Sequence, residues 1–383
     1  MTRGLLVLIY FTLFISVWSE IVSIPGYNYS IYPLEGRNIQ EYSNDAELSW
    51  LSENGNIALS VSAWSGDRFT NVQDMFSTLT SSLNATGKCV RFTYLGRDSV
   101  IGEITITIDQ ILHKGWIVLI DGQDFDYFLI SFSLEVDYID NYQEIQSVLD
   151  SFSITGEGEY KPGPITTFLD GSPNKDYKTY EVHFFDQTFP VSVSDSDFSS
   201  AQTVIEREAN IMKNYSNDPN KFYKAWRRYY QVIFRDSYSR MEPIYRGLYP
   251  YLKDGKYSSY DVTELLMFWI QSFKYERELN TASDLLNPFE GAVKGIGDCD
   301  SRSLVLGVLL HKFKIKSVLL TSEKVKHALL AVKISGEGSS YEFDGEKFLY
   351  VELTAKALIG EIKESIDNSK LWTAIKMEYP SGE

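Results

Sequence analysis

The sequence predicts an α+β protein of two domains: an N-terminal antiparallel sheet with flanking helices, then a C-terminal domain whose helical part precedes a second antiparallel sheet. Period-two alternation of apolar and polar residues dominates the first part of the chain, and helical periodicity dominates from about residue 200. A stretch rich in glycine and proline separates the two patterns. The 383 residues, 44% of them hydrophobic, suffice for two buried cores.

Residues 1–19 have the composition of a secretory signal peptide. Arg3 precedes an apolar run that ends at Trp18, and Val17 and Ser19 occupy positions where signal peptidase accepts small residues. The run is shorter than the roughly 20 residues of a membrane-spanning helix. We therefore expect a secreted, periplasmic or cell-envelope protein with no stable membrane insertion after cleavage; an uncleaved anchor is the alternative.

The next block, residues 20–155, is predicted to be the antiparallel sheet with its helices. Alternating residues predict its strands, and apolar residues at helical spacing predict two helices. The strands are predicted over 57–64, 104–108, 116–120 and 127–136, and the helices over 72–83 and 142–152.

The end of this block carries a family resemblance. Residues 146–154, Gln-Ser-Val-Leu-Asp-Ser-Phe-Ser-Ile, resemble the helix-to-strand ending of the PsbP/Mog1-like family. The resemblance implies a twisted antiparallel sheet flanked by helices, and a binding or scaffolding role without chemistry.

Residues 156–176 are predicted to form a linker, because they contain four glycines and three prolines. The second domain, 177–383, opens with alternating stretches that predict a hairpin with its turn near Asp186. Helical periodicity then covers 200–212, 218–233 and 262–273.

A turn-rich segment leads to Cys299 and then to the apolar run 304–310, which predicts a buried helix. Cys299 therefore falls at or just before the first helical turn. Unpaired N–H groups and the positive end of the helix dipole favour a thiolate there. We expect a pKa of the Cys299 thiol lowered toward the range of reactive cysteines.

His327 opens a predicted strand over 327–332, and a second strand follows the tight-turn dipeptide Asp344-Gly345. Glu352 lies near the end of that second strand. We expect His327 to act as base for Cys299, and Glu352 to accept the second imidazole N–H as the third member of a triad.

Three motifs precede His327 and Glu352 in the chain, so that the candidate site residues follow one another in the order Cys, His, acid. The motifs are Gln271-Ser272-Phe273-Lys274-Tyr275, which resembles a Gln-Ser-x-x-Tyr helix end; Pro288-Phe289-Glu290, which resembles a Pro-x-Glu step; and Gly297-Asp298-Cys299-Asp300-Ser301-Arg302-Ser303-Leu304, which resembles a nucleophile motif. Together they resemble the transglutaminase-like superfamily of papain-like cysteine hydrolases and acyltransferases, especially its bacterial members.

The resemblance implies a papain-like core in which Cys299 is the nucleophile, His327 the general base and acid, and Glu352 the orienting carboxylate. It implies that Gln271 supplies a side-chain N–H to an oxyanion. The chain departs from the family at one point. The family usually has Asp, Pro and Thr where this chain has Glu352-Leu353-Thr354, so the carboxylate arm is one methylene longer.

The function expected from these residues is an exported cysteine enzyme that acts on amide or peptide bonds of a peptide or protein substrate through a thioester. Hydrolysis and acyl transfer are both open. The alternative is a non-catalytic envelope protein that binds a peptide or partner on the same fold. We predict no cofactor and no required metal, because the four histidines are scattered without ligand spacing.

The remaining polar residues receive structural interpretations. A net charge of −16 repels phosphate, so nucleic-acid binding is not expected. The cluster of Lys224, Arg227 and Arg228 is interpreted as a solvated helix face. Two cysteines are too few for a disulfide scaffold, although a Cys89–Cys299 bridge is formally possible.

Overall fold

The computed structural model describes residues 21–34, 37–41, 47–52, 55–171, 176–253, 257–279 and 281–378. The predicted α+β class is confirmed. The chain divides into an N-terminal unit (1–171, 211–225 and 380–383) and a C-terminal unit (172–210 and 226–379). The predicted signal peptide lies outside the described residues. Within the described ranges, no helix has the length and apolar character needed to span a membrane.

Among the described residues, the N-terminal unit contains two sheets and three complete helices. Its strands are β1 (Val22–Ile24), β2 (Tyr29–Ile31), β3 (Arg37–Glu41), β4 (Glu47–Ser52), β5 (Ile57–Ser65), β6 (Thr86–Tyr94), β7 (Arg97–Ile108), β8 (Ile111–Ile120), β9 (Phe125–Leu134) and β10 (Ser153–Ile154), and its helices are α1 (Val72–Ser82), α2 (Tyr138–Asp150) and α3 (Pro164–Asp170).

The larger sheet is antiparallel, with strand order β3-β4-β5-β9-β8-β7-β6, and β1, β2 and β10 form the smaller sheet. Successive side chains of a strand point to opposite faces. Val100 therefore packs in the core that contains α1, whereas Ile101 packs in the core that contains α2. The sheet therefore has a buried core on each of its two faces.

The predicted linker, 156–176, is wrong in part, because α3 lies inside it. Pro164 occupies the first turn of α3, where its missing N–H costs nothing. The Asp150 carboxylate accepts hydrogen bonds from the N–H and hydroxyl of Thr166, at 2.8 and 2.6 Å. A side chain at Gly163 would meet the Asp150 carbonyl oxygen at 1.7 Å. Gly163 and Pro164 therefore serve close packing and helix initiation, which composition alone does not distinguish from a flexible linker.

The C-terminal unit holds a β-hairpin, a helical part and a five-stranded sheet. The elements, two of which also contribute residues to the N-terminal unit, are β11 (Tyr177–Phe184), β12 (Gln187–Ser194), α4 (Asp195–Asn214), α5 (Pro219–Arg240), α6 (Glu242–Leu252), α7 (Ser259–Gln271), α8 (Pro288–Lys294), α9 (Cys299–Lys312), β13 (Ser317–Ser322), β14 (His327–Val332), β15 (Ser340–Phe343), β16 (Glu346–Val351) and β17 (Thr373–Lys376).

The five-stranded sheet is antiparallel, with the order β15-β16-β14-β13-β17, so β14 is its central strand. The helix α9 packs against β13 and β14, and both α7 and α8 pack against α9. The predicted turn between β15 and β16 is present, with φ values of 52° at Asp344 and 73° at Gly345. Positive φ at both positions is what the tight hairpin requires.

The interpretation of the basic cluster as a solvated face is wrong for Arg228. This side chain is buried, and its guanidinium donates a hydrogen bond to the equally buried carboxylate of Glu208 on α4. Glu208 also accepts a hydrogen bond from Arg207 at 2.9 Å. A run of charged residues therefore predicts solvent exposure only where no oppositely charged residue on a neighbouring helix can pair with it.

Candidate active site

The helix α9 begins at Cys299 because Asp298 caps it. One carboxylate oxygen of Asp298 accepts hydrogen bonds from the backbone N–H of Ser301 at 2.9 Å and from its hydroxyl at 2.6 Å. Gly297 precedes the cap with φ of 148°, a conformation that side chains rarely adopt. The sequence Gly-Asp-Cys therefore turns the chain sharply and places Cys299 at the first helical position.

His327 and Glu352 lie together, as the sequence predicts. The Nε2 atom of His327 lies 2.8 Å from one carboxylate oxygen of Glu352. The other oxygen accepts hydrogen bonds from the N–H and hydroxyl of Thr354, each at 2.7 Å. Both oxygens of the Glu352 carboxylate are thereby engaged.

These contacts also fix the charge of Glu352. Burial opposes ionisation, but the hydrogen bond to His327, the charge of that ring and the bonds from Thr354 outweigh it. They lower the pKa of Glu352 to about 2. A carboxylate that is ionised at neutral pH can orient an imidazole and stabilise its protonated form.

Cys299 lies beside the start of β14, where His327 stands. The backbone N–H of Ala328, the residue after His327, is directed at the Cys299 sulfur. The His327 ring is bonded through Nε2, and within the described part of the chain no hydrogen bond is found at its Nδ1 atom. The structure thus brings three predicted site residues, Cys299, His327 and Glu352, to one place.

The expected lowering of the Cys299 pKa is wrong. Burial of the thiol, followed by the charges of Asp300 and Asp298, raises its pKa above the ordinary value. Only 4% of the residue is exposed. The position at the helix start was predicted correctly, but the two flanking carboxyl groups, which stand in the same motif, act against the helix dipole.

Asp298 and Asp300 are themselves poorly compensated. Burial, with the charge of Asp300, raises the pKa of Asp298 to about 6, and the second carboxylate oxygen of Asp298 has no hydrogen-bond partner among the described residues. Burial also raises the pKa of Asp300, although hydrogen bonds from Tyr230 and Cys299 oppose this shift. The thiol of Cys299 lies 3.3 Å from Asp300 Oδ2, and the Tyr230 hydroxyl donates to Oδ1.

Arg302 links the elements of the site through hydrogen bonds, a role that the sequence did not predict. Its buried guanidinium donates to three backbone carbonyls: Gly297 at 2.9 Å, Leu353 at 2.9 Å and Phe273 at 2.6 Å. One side chain therefore joins the turn before Cys299, the residue after Glu352 and the end of α7. Its place one turn after the cysteine is the only sequence signal that could have indicated it.

The side-chain amide of Gln271 contacts the backbone of Glu352 and of the segment after it. Its Nε2 donates to the backbone carbonyls of Glu352 at 2.9 Å and Ala357 at 3.0 Å. An amide group has two N–H donors, and both are engaged. In this arrangement Gln271 fastens the segment after β16 to α7, and the oxyanion role predicted for it stays a prediction that would require those bonds to open.

Gln271 also lines a cavity of about 370 Å³ at the end of α7. The opposite wall comes from the segment after β16 and includes Lys356 and Leu358. Neither Cys299 nor His327 lines this cavity.

One group of potential metal ligands exists among the described residues: Asp298, Cys299 and Asp300 offer atoms within 4.8 Å of one another. An acidic pair beside a thiol does not identify an ion, and we assign none. The absence of a required metal or cofactor stays a prediction. Cys89 and Cys299 are both free thiols, so the formally possible bridge does not form.

Comparison with known proteins found no matching family model and no matching curated protein. Among solved structures, PsbP (CyanoP) from Synechocystis sp. PCC 6803 is 10% identical, covering 38% of this chain and 98% of its own, with a TM-score of 0.32. LpqN, involved in cell envelope biogenesis of Mycobacterium tuberculosis, is 11% identical, covering 33% and 83%, with a TM-score of 0.27.

A structure from Bacteroides thetaiotaomicron is 9% identical, covering 84% of this chain and 85% of its own, with a TM-score of 0.26. The PsbP-like resemblance of the N-terminal block stays a prediction. At TM-scores below 0.5, none of these likenesses carries an argument about the site.

Proposed function

We propose that this protein is a transglutaminase-like cysteine enzyme that cleaves or transfers acyl groups at amide or peptide bonds through a thioester. One observation carries the proposal. The sulfur of Cys299, at the start of α9, lies against the first residues of β14, and the His327 ring at that strand start is held by Glu352 through Nε2. The order and spacing of the motifs that resemble the transglutaminase-like superfamily support it.

The chemistry follows from the atoms that remain available. With Nε2 bonded to Glu352, Nδ1 of His327 is the atom that takes the thiol proton of Cys299. The thiolate attacks the substrate carbonyl, and the resulting imidazolium protonates the leaving amine, which leaves a thioester on the sulfur. Water, in hydrolysis, or a second amine, in acyl transfer, then gives its proton to His327, attacks the thioester and regenerates the thiol.

The tetrahedral oxyanion needs N–H donors. The backbone N–H of Cys299 stands at the first position of α9, where no carbonyl of the same helix can pair with it. We take it as the principal donor. This assignment does not depend on Gln271, whose amide is bonded to two carbonyls.

Export is part of the proposal and rests on the sequence of residues 1–19. A substrate outside the cytoplasm would then be a peptide or protein of the cell envelope or the surroundings. Nucleic acid is not a candidate substrate, because of the net charge of −16.

The test is Cys299→Ala in the purified protein, assayed on a peptide library by mass spectrometry and on a glutamine-containing protein with a fluorescent primary amine. We expect cleavage or amine incorporation by the wild-type protein, and a loss of at least about 10⁴-fold in the variant. Cys89→Ala is the matched control and should retain full activity. Equal activity in the Cys299→Ala protein would overturn the proposal.

A second function is favoured by a different observation. The Cys299 thiol is buried, its pKa is raised, and it donates to Asp300, which describes an unreactive cysteine as well as a resting one. The protein would then bind a peptide or partner on the same fold without chemistry. Binding of a library peptide with equal affinity by the wild-type and Cys299→Ala proteins, with no product from either, would establish this second function.

A further inference from the structure

A hydrogen-bonded chain leads from α5 to the sulfur of Cys299 without passing through His327 or Glu352. The Tyr230 hydroxyl donates to Asp300 Oδ1, and the Cys299 thiol lies 3.3 Å from Asp300 Oδ2 as donor. Tyr230 is 5% exposed, so its hydroxyl is fixed by packing. The carboxylate of Asp300 is therefore held with one oxygen turned to the thiol.

This geometry directs the thiol hydrogen to a carboxylate, although the proposed base is a different residue. A thiol has one hydrogen to donate. When it is donated to Asp300 Oδ2 it is not directed at His327 Nδ1, and a negative charge beside the sulfur disfavours the thiolate.

We propose that Asp300 is a positioning residue that, anchored by Tyr230, takes the hydrogen bond of the Cys299 thiol and keeps the nucleophile protonated in the resting protein. The inference rests on the proposed function in one respect, since it treats Cys299 as the nucleophile. Activation consists of a rotation about the Cβ–Sγ bond that turns the hydrogen from Asp300 to His327, with no other bond made or broken.

Charged groups around the thiol fall on two sides. Asp298 and Asp300 flank Cys299 on its own segment, and Asp284 acts on both of them from the preceding loop. His327, on β14, acts on Asp300 in the opposite sense when protonated, as does the Tyr230 hydroxyl through its hydrogen bond. Asp298 caps α9, so changing it would disturb the helix start. Asp300 contacts the sulfur without capping the helix, which makes it the group to change.

The first test measures alkylation of Cys299 by iodoacetamide at one neutral pH, with Cys89→Ala as the parent protein. Asp300→Asn removes the charge beside the sulfur with little change of shape. We expect Cys299 to be alkylated about tenfold faster, which corresponds to one pKa unit. Asp284→Asn, the matched control, removes a nearby charge that does not contact the sulfur, and its rate should stay within about twofold of the parent.

Native hydrogen exchange of the α9 amides must accompany each rate, so that faster alkylation is not mistaken for local unfolding. A rate in the Asp300→Asn protein equal to or below that of the control would overturn the inference.

The second test leaves the contact intact and does not depend on the stability of Asp300→Asn. In the Cys89→Ala protein, Cys299 is the one remaining thiol, so its S–H stretching band is resolved by Raman spectroscopy. We expect the band at a lower frequency than that of an unbonded thiol, since donation weakens the S–H bond. A band at the unbonded frequency would overturn the inference.

Neither measurement requires turnover. Loss of activity in Cys299→Ala tests the proposed enzyme, whereas the alkylation rate and the S–H frequency test Asp300. A normal band position in a protein that is active, or a shifted band in a protein that is not, would separate the two conclusions.

Discussion

Two sets of carboxyl groups lie near Cys299, and their surroundings shift their pKa values in opposite directions. Glu352, on the side of His327, has both oxygens engaged, and its pKa is lowered to about 2. Asp298 and Asp300, on the side of the helix start, are crowded together, and the pKa of Asp298 is raised to about 6. The same kind of side chain is thus stabilised as an anion in one place and destabilised in the other.

The difference follows from the neighbours of each group. Glu352 faces a ring that can carry a positive charge and two donors from Thr354, which more than offset its burial. Asp298 lies near another carboxyl group, and one of its oxygens has no hydrogen-bond partner in the part of the chain that the structure describes. The Glu352 side of the site holds a proton acceptor in position, and the carboxyl groups on the other side disfavour a thiolate at Cys299.

The largest expected effect comes from Glu352→Gln, which removes the anion from the stabilised side. The amide can present an N–H to Nε2, which favours the wrong tautomer of His327. We expect turnover to fall by about 10⁴-fold, as when the acid of a Ser-His-Asp triad is converted to its amide. The measurement is the initial rate on a peptide identified in the library assay.

Glu346→Gln is the matched control for this variant. Glu346 begins β16, the strand that ends just before Glu352, and pairs with Lys333 at the surface. Its substitution should leave turnover within about twofold of wild type. A Glu352→Gln protein that keeps more than about a tenth of the activity would show that the carboxylate is not needed for orientation.

The next largest effect is expected from Arg302→Met, which removes the link between the turn before Cys299 and the segment after Glu352. Arg302 joins the Gly297 carbonyl to the Leu353 carbonyl, and its loss leaves three buried carbonyls without their donor. At about 1 kcal/mol or more for each, we expect the local free energy of unfolding to fall by about 3 kcal/mol. Hydrogen-exchange mass spectrometry of the α9 peptides measures it.

Arg277→Met serves as the comparison, because Arg277 pairs with Asp284 at 2.9 Å where both side chains are largely solvated. That substitution should cost less than about 1 kcal/mol. Similar losses in both variants would mean that the three carbonyl contacts of Arg302 contribute little to stability.

The smallest expected effect is a pH dependence of stability, whose sign should differ between Asp298 and Glu352. The pKa of Asp298 is raised from 3.8 to about 6 in the folded protein. The unfolded chain therefore releases this proton first, and stability falls as pH rises through this window, by at most about 3 kcal/mol. Asp298→Asn retains a capping side chain and does not titrate. Its stability relative to wild type should rise between about pH 4 and pH 7.

Glu352 must show the reverse. Its folded pKa is lowered from 4.5 to about 2, so its stabilising contribution is present above the unfolded value and is lost as pH falls through this window. Urea unfolding of wild type, Asp298→Asn and Glu352→Gln at several pH values checks both signs. An Asp298→Asn protein whose stability difference does not change with pH would contradict the raised pKa.

Local patterns predicted those parts of the fold and site that depend on short segments. The apolar run after Cys299 predicted a buried helix, which begins at that residue, and the Asp344-Gly345 dipeptide predicted the hairpin that leads to Glu352. The strand that His327 opens has the predicted bounds. Each of these depends on periodicity or turn chemistry within a few residues.

What the sequence did not predict depends on groups brought together from distant segments. The raised pKa of Cys299 arises from burial and from the orientation of Asp300, which is fixed by Tyr230 on another helix. The burial of Arg228 depends on Glu208, twenty positions away. No periodicity encodes such partners, because each segment alone is compatible with an exposed or a buried charge.

The hairpin between β15 and β16 has a practical consequence. Its turn, Asp344-Gly345, lies at the opposite end of β16 from Glu352, and a side chain at Gly345 would meet open space. Six residues of strand, at about 3.3 Å each, separate the turn from the carboxylate by about 20 Å. A short tag, a fluorophore attachment point or new chain termini could therefore be engineered at this turn, giving a labelled protein whose proposed chemistry is left in place for assay.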